Sequence, residues 1–201
     1  MLRDHLRTGF DFVLFIGPSE AGKTSLLYRL ATDEFKEDWI PTPSFVHQII
    51  KNTNIIEIGG QKLYKKNLWP EWLARNPSLI IFVIDITKME DFEAYNAFTK
   101  DYPDIANLIL VANKLDLDEK RIPNDYPEYL QQLDHYVLLC SAKTGVNIWT
   151  LGEIIAERSS EAVLNQRLIK EPDVEQDIEK EKEKDAKQKS EELINKFKEK
   201  F

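Results

Sequence analysis

Cysteine occurs once in the 201 residues, as Cys140, so no disulfide can close within the chain and a reducing compartment is expected. Histidine is nearly as scarce. His5, His47 and His135 are scattered, and no metal-ligand spacing joins them. No apolar run reaches the roughly 18 residues that a membrane-spanning helix needs, and the first residues lack the apolar core of a signal peptide. A surplus of positive charge is also missing. The 27 Lys and Arg face 35 Asp and Glu, for a net charge of -8. With no basic excess to displace counterions, non-specific nucleic-acid binding is not expected. Leu2 stands where N-myristoylation needs Gly, and no cysteine lies near the C-terminus for prenylation. The expected location is therefore cytoplasmic. Peripheral attachment to a membrane would need an amphipathic end or a protein receptor.

What the chain does have is an alternation of apolar strands with helix-forming stretches, the pattern of an α/β domain. Strands are expected near 10–16, 45–50, 54–58, 79–85, 107–112 and 136–140. Helices are expected near 23–32, 66–75, 90–100, 126–134 and 147–169. The run Leu79-Ile80-Ile81-Phe82-Val83-Ile84-Asp85 shows no polar alternation, as suits a strand buried on both faces. Phe45 to Ile50 and Ile55 to Ile58 are joined by only Lys51-Asn52-Thr53-Asn54. So short a link cannot make a parallel crossover, and an antiparallel edge hairpin follows. Cys140, on an apolar strand, reads as a core residue.

Three motifs sit at the carboxyl ends of these strands, where open α/β sheets bind ligands. Gly17-Pro18-Ser19-Glu20-Ala21-Gly22-Lys23-Thr24 matches G-x-x-x-x-G-K-[ST], with the strand Phe12–Ile16 before it and a helix from Ser25 after it. That placement points backbone N–H groups at a phosphate. Gly17, Ser19, Glu20, Ala21, Gly22, Lys23, Thr24 and Ser25 are the phosphate-side candidates. Lys23 is suited to the β- and γ-phosphates, and the Thr24 hydroxyl to Mg²⁺. Asn113-Lys114-Leu115-Asp116 follows the strand ending at Ala112. The Asp116 carboxylate can accept two parallel hydrogen bonds from N1–H and the exocyclic amine of guanine. Adenine presents no such pair, so buried acceptors would stay unpaired. Ser141-Ala142-Lys143 supplies the third piece, with the Ala142 N–H suited to guanine O6.

Taken together, these residues resemble the Ras superfamily of small GTPases over about residues 10 to 165. Gly59-Gly60-Gln61 followed by Leu68-Trp69, and Ile40-Pro41-Thr42 ahead of the second strand, look most like its Arf, Arf-like and Sar branch. The resemblance implies a P-loop NTPase small G domain. Its sheet would have six strands, mostly parallel with one antiparallel edge strand, and helices on both faces. It also implies GTP, GDP and Mg²⁺ as ligands and slow GTP hydrolysis, in a switch of the kind that serves membrane trafficking. Activating, exchange and effector proteins would be its partners. By the family pattern Thr42 ligates Mg²⁺ with Thr24, Gly60 gives its N–H to the γ-phosphate, and Gln61 orients the attacking water. Gln61, Lys23 and Thr42 would carry the catalysis.

Two features depart from that pattern. The family's D-x-x-G reads Glu57-Ile58-Gly59-Gly60, which puts a longer carboxylate in the outer shell of an ion that demands octahedral geometry. The hairpin between the switches looks shorter than in typical Arf proteins. Both keep open an alternative, a non-cycling guanine-nucleotide-binding scaffold. No arginine lies between Leu30 and Arg75, so the switch I stretch lacks a built-in arginine finger. Trp69 and Trp72, with Leu68 and Leu73, are either core beneath switch II or an exposed patch for a partner. Pro70 is expected to distort or shorten any helix there.

Domain boundaries follow: a short extension over 1–9, the G domain over 10–169, and a Glu- and Lys-dense tail over 170–201. The tail composition favours an exposed helix with i,i+4 ion pairs. Leu193, Ile194, Phe197 and Phe201 fall on one side of it.

Overall fold

A computed structural model of the chain describes residues 11–42, 44–117, 133 and 135–170, with side chains as far as residue 159. The chain divides into two compact units, Met1–Val163 and Leu164–Phe201. Everything below concerns the first. The extension over 1–9, the expected helix over 126–134 apart from residue 133, and the tail over 170–201 apart from residue 170 lie outside the described residues.

Six strands form one sheet: β1 (Val13–Ile16), β2 (Phe45–Ile50), β3 (Thr53–Ile58), β4 (Leu79–Asp85), β5 (Leu108–Asn113) and β6 (Tyr136–Leu139). Their order is β2-β3-β1-β4-β5-β6. Only the β2–β3 pair is antiparallel, and every other pairing is parallel. The expected sheet is the observed one.

The hairpin is tighter than expected. β3 begins at Thr53, so the loop is Lys51-Asn52 alone, both with positive φ (48° and 67°). Positive φ at both central residues is the signature of a two-residue turn whose twist matches the strands it joins.

Side-chain alternation then builds two cores from the same strands. Val13, Phe15, Ile81, Val83 and Val111 face one side, where they meet Leu26, Leu27 and Leu30 of α1 (Lys23–Thr32) and Leu151 and Ile155 of α4 (Ile148–Lys170). Leu14, Ile16, Phe82, Ile84 and Leu110 face the other, against α2 (Lys62–Leu73) and α3 (Met89–Asp101). A continuous apolar run is what a strand with both faces covered requires. Burying each such side chain contributes about 1.5–3 kcal/mol.

Helix α2 corrects one expectation: it starts directly after Gln61 rather than at 66. It runs through Pro70 and ends at Leu73, short of the expected 75. Proline forfeits one helical hydrogen bond, but Trp69 and Trp72 on either side of it are buried at 5% and 6% exposure. Trp69 stacks edge-on against Phe82 and Phe98, and Trp72 against Phe12. That packing outweighs the lost bond. Of the two readings of these tryptophans, the core reading is the observed one. Cys140 is likewise core, and burial pushes its thiol up to about 12.

Candidate nucleotide site

The turn from β1 into α1 holds Gly22 as the N-cap of α1, with φ 91°. An added Cβ would collide with the Asn113 side-chain amide, so backbone conformation and close approach both demand glycine. Lys23 is buried at 5% exposure, and its ammonium donates to the carbonyls of Gly17 (3.0 Å) and Pro18 (2.7 Å). Burial lowers its pKa to about 8, against the pull of Glu57.

Beside the loop, three hard oxygens converge. The Thr24 hydroxyl donates to Glu57 Oε1 at 2.6 Å, the Thr42 hydroxyl donates to the same atom at 3.1 Å, and the two hydroxyls lie 3.2 Å apart. Glu57 is almost fully buried on β3. Its extra methylene carries the carboxylate directly onto both hydroxyls. An all-oxygen donor set of this kind fits Mg²⁺ and not a soft metal.

At the other end, Asn113 ties two motifs together. Its amide donates to the Ala21 carbonyl (3.0 Å), and its Oδ1 accepts from the Ala142 N–H (3.1 Å). The N–H expected to meet guanine O6 is therefore engaged with Asn113 here. The Ser141 hydroxyl donates to Asp116 Oδ1 at 2.6 Å, which fixes the orientation of that carboxylate. Lys114 pairs with buried Asp85 at 2.8 Å. Burial pushes the Asp85 carboxyl up, but Lys114 and both Thr87 donors outweigh it and hold it below the usual carboxylate range.

One cleft of about 610 Å³ joins these groups. Ser19, Glu20, Gly22, Lys23, Thr24, Ser25, Thr42, Glu57, Gln61, Asn113, Lys114, Asp116, Ala142 and Lys143 line it, all expected from the sequence. Gly17, Ala21, Gly60 and Ser141 stand behind the lining. The first two lend carbonyls to Lys23 and Asn113, and Ser141 holds Asp116. Gly60 packs against Pro18 and Ser19 so tightly that no Cβ fits.

The sequence reading missed Phe35, Glu37, Trp39, Ile40, Pro41 and Leu117 in the wall. Most come from the irregular stretch between α1 and β2. Its aromatic residues carry no periodic signal, although Trp39 in a polar loop is conspicuous. Glu37 also reaches Lys143 across the mouth, at 3.4 Å between exposed side chains. Asp85 was missed as a partner of Lys114, and its place as the acidic end of an apolar strand was the available signal.

A parallel sheet with a phosphate loop at its centre, a hard-oxygen cluster beside the loop and a carboxylate at the far end defines a P-loop small G domain. The sequence profile of the Ras family matches residues 12–160. The chain is 31% identical over 182 residues to Ras-related protein Rab-3C of Bos taurus, covering 80% of this chain and 79% of that one. It is 31% identical over 177 residues to Rab-3A of Homo sapiens (77% and 79%) and 31% over 164 to Rab-3B of Rattus norvegicus (73% and 74%). The chain belongs to the Ras family: it binds GTP and GDP with Mg²⁺ and hydrolyses GTP. These relatives are Rab proteins, and they lend no support to the Arf-like branch expected from Gly59-Gly60-Gln61.

Proposed function

We propose that the protein is a guanine-nucleotide switch of the membrane-trafficking type, working in the cytoplasm or peripherally at a membrane surface. The observation that carries the switch is the joining of both ends of the cleft through Asn113, which couples base recognition to the phosphate loop. Asp116, oriented by Ser141, reads guanine. Lys23 leaves the loop carbonyls for the β- and γ-phosphate oxygens. Thr24 and Thr42 would hold Mg²⁺, which would supply positive charge against the phosphates, and Glu57 orients both hydroxyls. Gln61, exposed at the start of α2 and lining the cleft, aligns the attacking water. No arginine serves the switch I stretch, so intrinsic turnover is slow and an activating protein supplies the further cation. Exchange factors and effectors complete the cycle.

Titration of purified protein with GDP, GTP and ADP tests the reading. Guanine nucleotides bind far more tightly than ADP, and equal affinity overturns it. The Gly59-Gly60-Gln61 triplet supports an Arf-like assignment within the family, and the similarity to Rab-3 proteins supports a Rab-like one. Nucleotide-dependent protection of the N-terminal residues in hydrogen exchange separates them, because Arf proteins release an N-terminal helix on exchange.

A second reading, the non-cycling scaffold, is favoured by one contact. Glu57 binds the Thr24 and Thr42 hydroxyls directly, an arrangement that can lock the segment around Thr42 in place. Hydrogen exchange over 36–46 and 59–75 decides between the two. Equal protection with GDP and a GTP analogue favours the scaffold.

A further inference from the structure

Glu57 is buried at 2% exposure on β3, yet it lines the nucleotide cleft together with Thr24 and Thr42. Among the described residues the ion-paired carboxylates are Glu20, Asp33, Glu37, Glu71 and Asp85, so no cation touches Glu57 directly. Lys23 points its ammonium at the carbonyls of Gly17 and Pro18 instead. What meets the Glu57 carboxylate is a pair of neutral hydroxyls, and both reach the same oxygen, Oε1. A buried charge is costly unless a countercharge or a metal ion meets it.

Thr24 Oγ1, Thr42 Oγ1 and Glu57 Oε1 form a triangle with sides of 2.6, 3.1 and 3.2 Å. Mg²⁺ holds oxygens at about 2.0–2.1 Å in an octahedron, so neighbouring ligands lie about 2.8–3.0 Å apart. The observed triangle is close to one face of that octahedron. At the longer bonds of Ca²⁺, about 2.3–2.6 Å, the same face would need sides of about 3.3–3.7 Å. Only the short Thr24–Glu57 side has to open, by a few tenths of an ångström, when a metal ion replaces the direct hydrogen bond. A carboxylate one methylene shorter on the same strand position would stop short of this face.

We propose that Glu57 binds Mg²⁺ directly through Oε1, in place of the outer-shell position expected from the sequence, and shares one face of the ion's shell with Thr24 and Thr42. This rests on the guanine-nucleotide reading and deepens it. The opposite face stays open to phosphate oxygens and water. A fixed carboxylate then stands where a water ligand would otherwise be, and it is the buried charge of Glu57 that the ion compensates.

The test uses the full chain loaded with Mn²⁺-GDP, Mn²⁺ being a paramagnetic ion that shares the preference of Mg²⁺ for six oxygens. Protein labelled with ¹³C at the glutamate carboxyl carbons is read by electron–nuclear double resonance. Direct coordination gives a resolved ¹³C coupling in the wild type. Glu57→Asp, which keeps the charge and removes the label, abolishes it. A wild-type protein without that coupling overturns the proposal, and this measurement needs no variant. So does a coupling that survives in Glu57→Asp, because another glutamate then carries it. Equal retention of Mn²⁺-GDP and Mn²⁺-ADP would instead sink the guanine reading, and the ¹³C signal would still report on Glu57.

Discussion

The two faces of the sheet are covered by different materials, and the difference follows the division of labour in the site. On one face α1 grows straight out of the phosphate loop and is buried from its first turns through Leu26 and Leu27, among aliphatic side chains. On the other, α2 grows out of Gly60-Gln61 and is buried only from Trp69 onward, within an aromatic cluster that includes Phe82, Phe92, Tyr95 and Phe98. In the first turns of α2, Lys62 and Leu63 are exposed, Leu63 at 64%, while Tyr64 is only half-buried against the cluster. A helix pinned at its start keeps the phosphate loop rigid. A helix with fully buried side chains only in its second half holds its start more loosely, where it can answer the nucleotide. Local stability is uneven in this way wherever buried contacts thin out.

Removing the pin on the rigid side has the largest effect. Lys23→Ala deletes an ammonium with two loop contacts of 3.0 and 2.7 Å. Losing its contacts to the phosphates weakens both nucleotides, GTP more than GDP because only GTP has a γ-phosphate, by about 10²–10⁴-fold for GTP in calorimetric titration. The second test sets the two faces against each other. Trp69→Ala lowers the urea unfolding free energy by about 3–5 kcal/mol and Leu26→Ala by about 2–5. The comparison breaks if hydrogen exchange shows Leu26→Ala, rather than Trp69→Ala, loosening residues 59–68 selectively.

At the base end, Asp116→Asn lowers guanine affinity by about 100-fold and moves preference toward xanthine nucleotides. Competition between GDP and XDP reads this directly.

The smallest effect is a pH dependence of the nucleotide-free protein. Lys23 falls from 10.5 in the unfolded chain to about 8 in the folded one. Between those values the unfolded chain binds more protons, so this group makes stability rise with pH. Below about pH 8 both states are charged, and the desolvation penalty is felt in full. Lys23→Met removes a rise of about 2 kcal/mol between pH 8 and 9.5, seen as the difference between the two proteins in urea unfolding. Cys140 contributes in the opposite direction. Its folded value of about 12 lies above 9.0, so its stabilising share is lost as pH climbs through that window, in both proteins alike.

Strand positions were legible because buried parallel strands leave uninterrupted apolar runs, and β4 is the plainest case. Most lining residues at the phosphate and base ends were legible for a related reason. Gly17–Thr24, Asn113–Asp116 and Ser141–Lys143 are contiguous motifs whose local chemistry is self-contained. The start of α2 was not legible, since Lys62-Leu63-Tyr64-Lys65 has no apolar period and its helix depends on Trp69 and Trp72 packing farther on.

Composition and short motifs alone thus determined that this chain makes a G domain with a guanine site. Those signals are written in neighbouring residues whose types are dictated by backbone geometry and by the ligand. Only the folded structure decided that Glu57 reaches both hydroxyls, that Asp85 anchors Lys114, and that Asn113 bonds both Ala21 and Ala142. Each of those depends on strands and helices brought together from distant parts of the chain, and side-chain reach across such a gap has no counterpart in linear order.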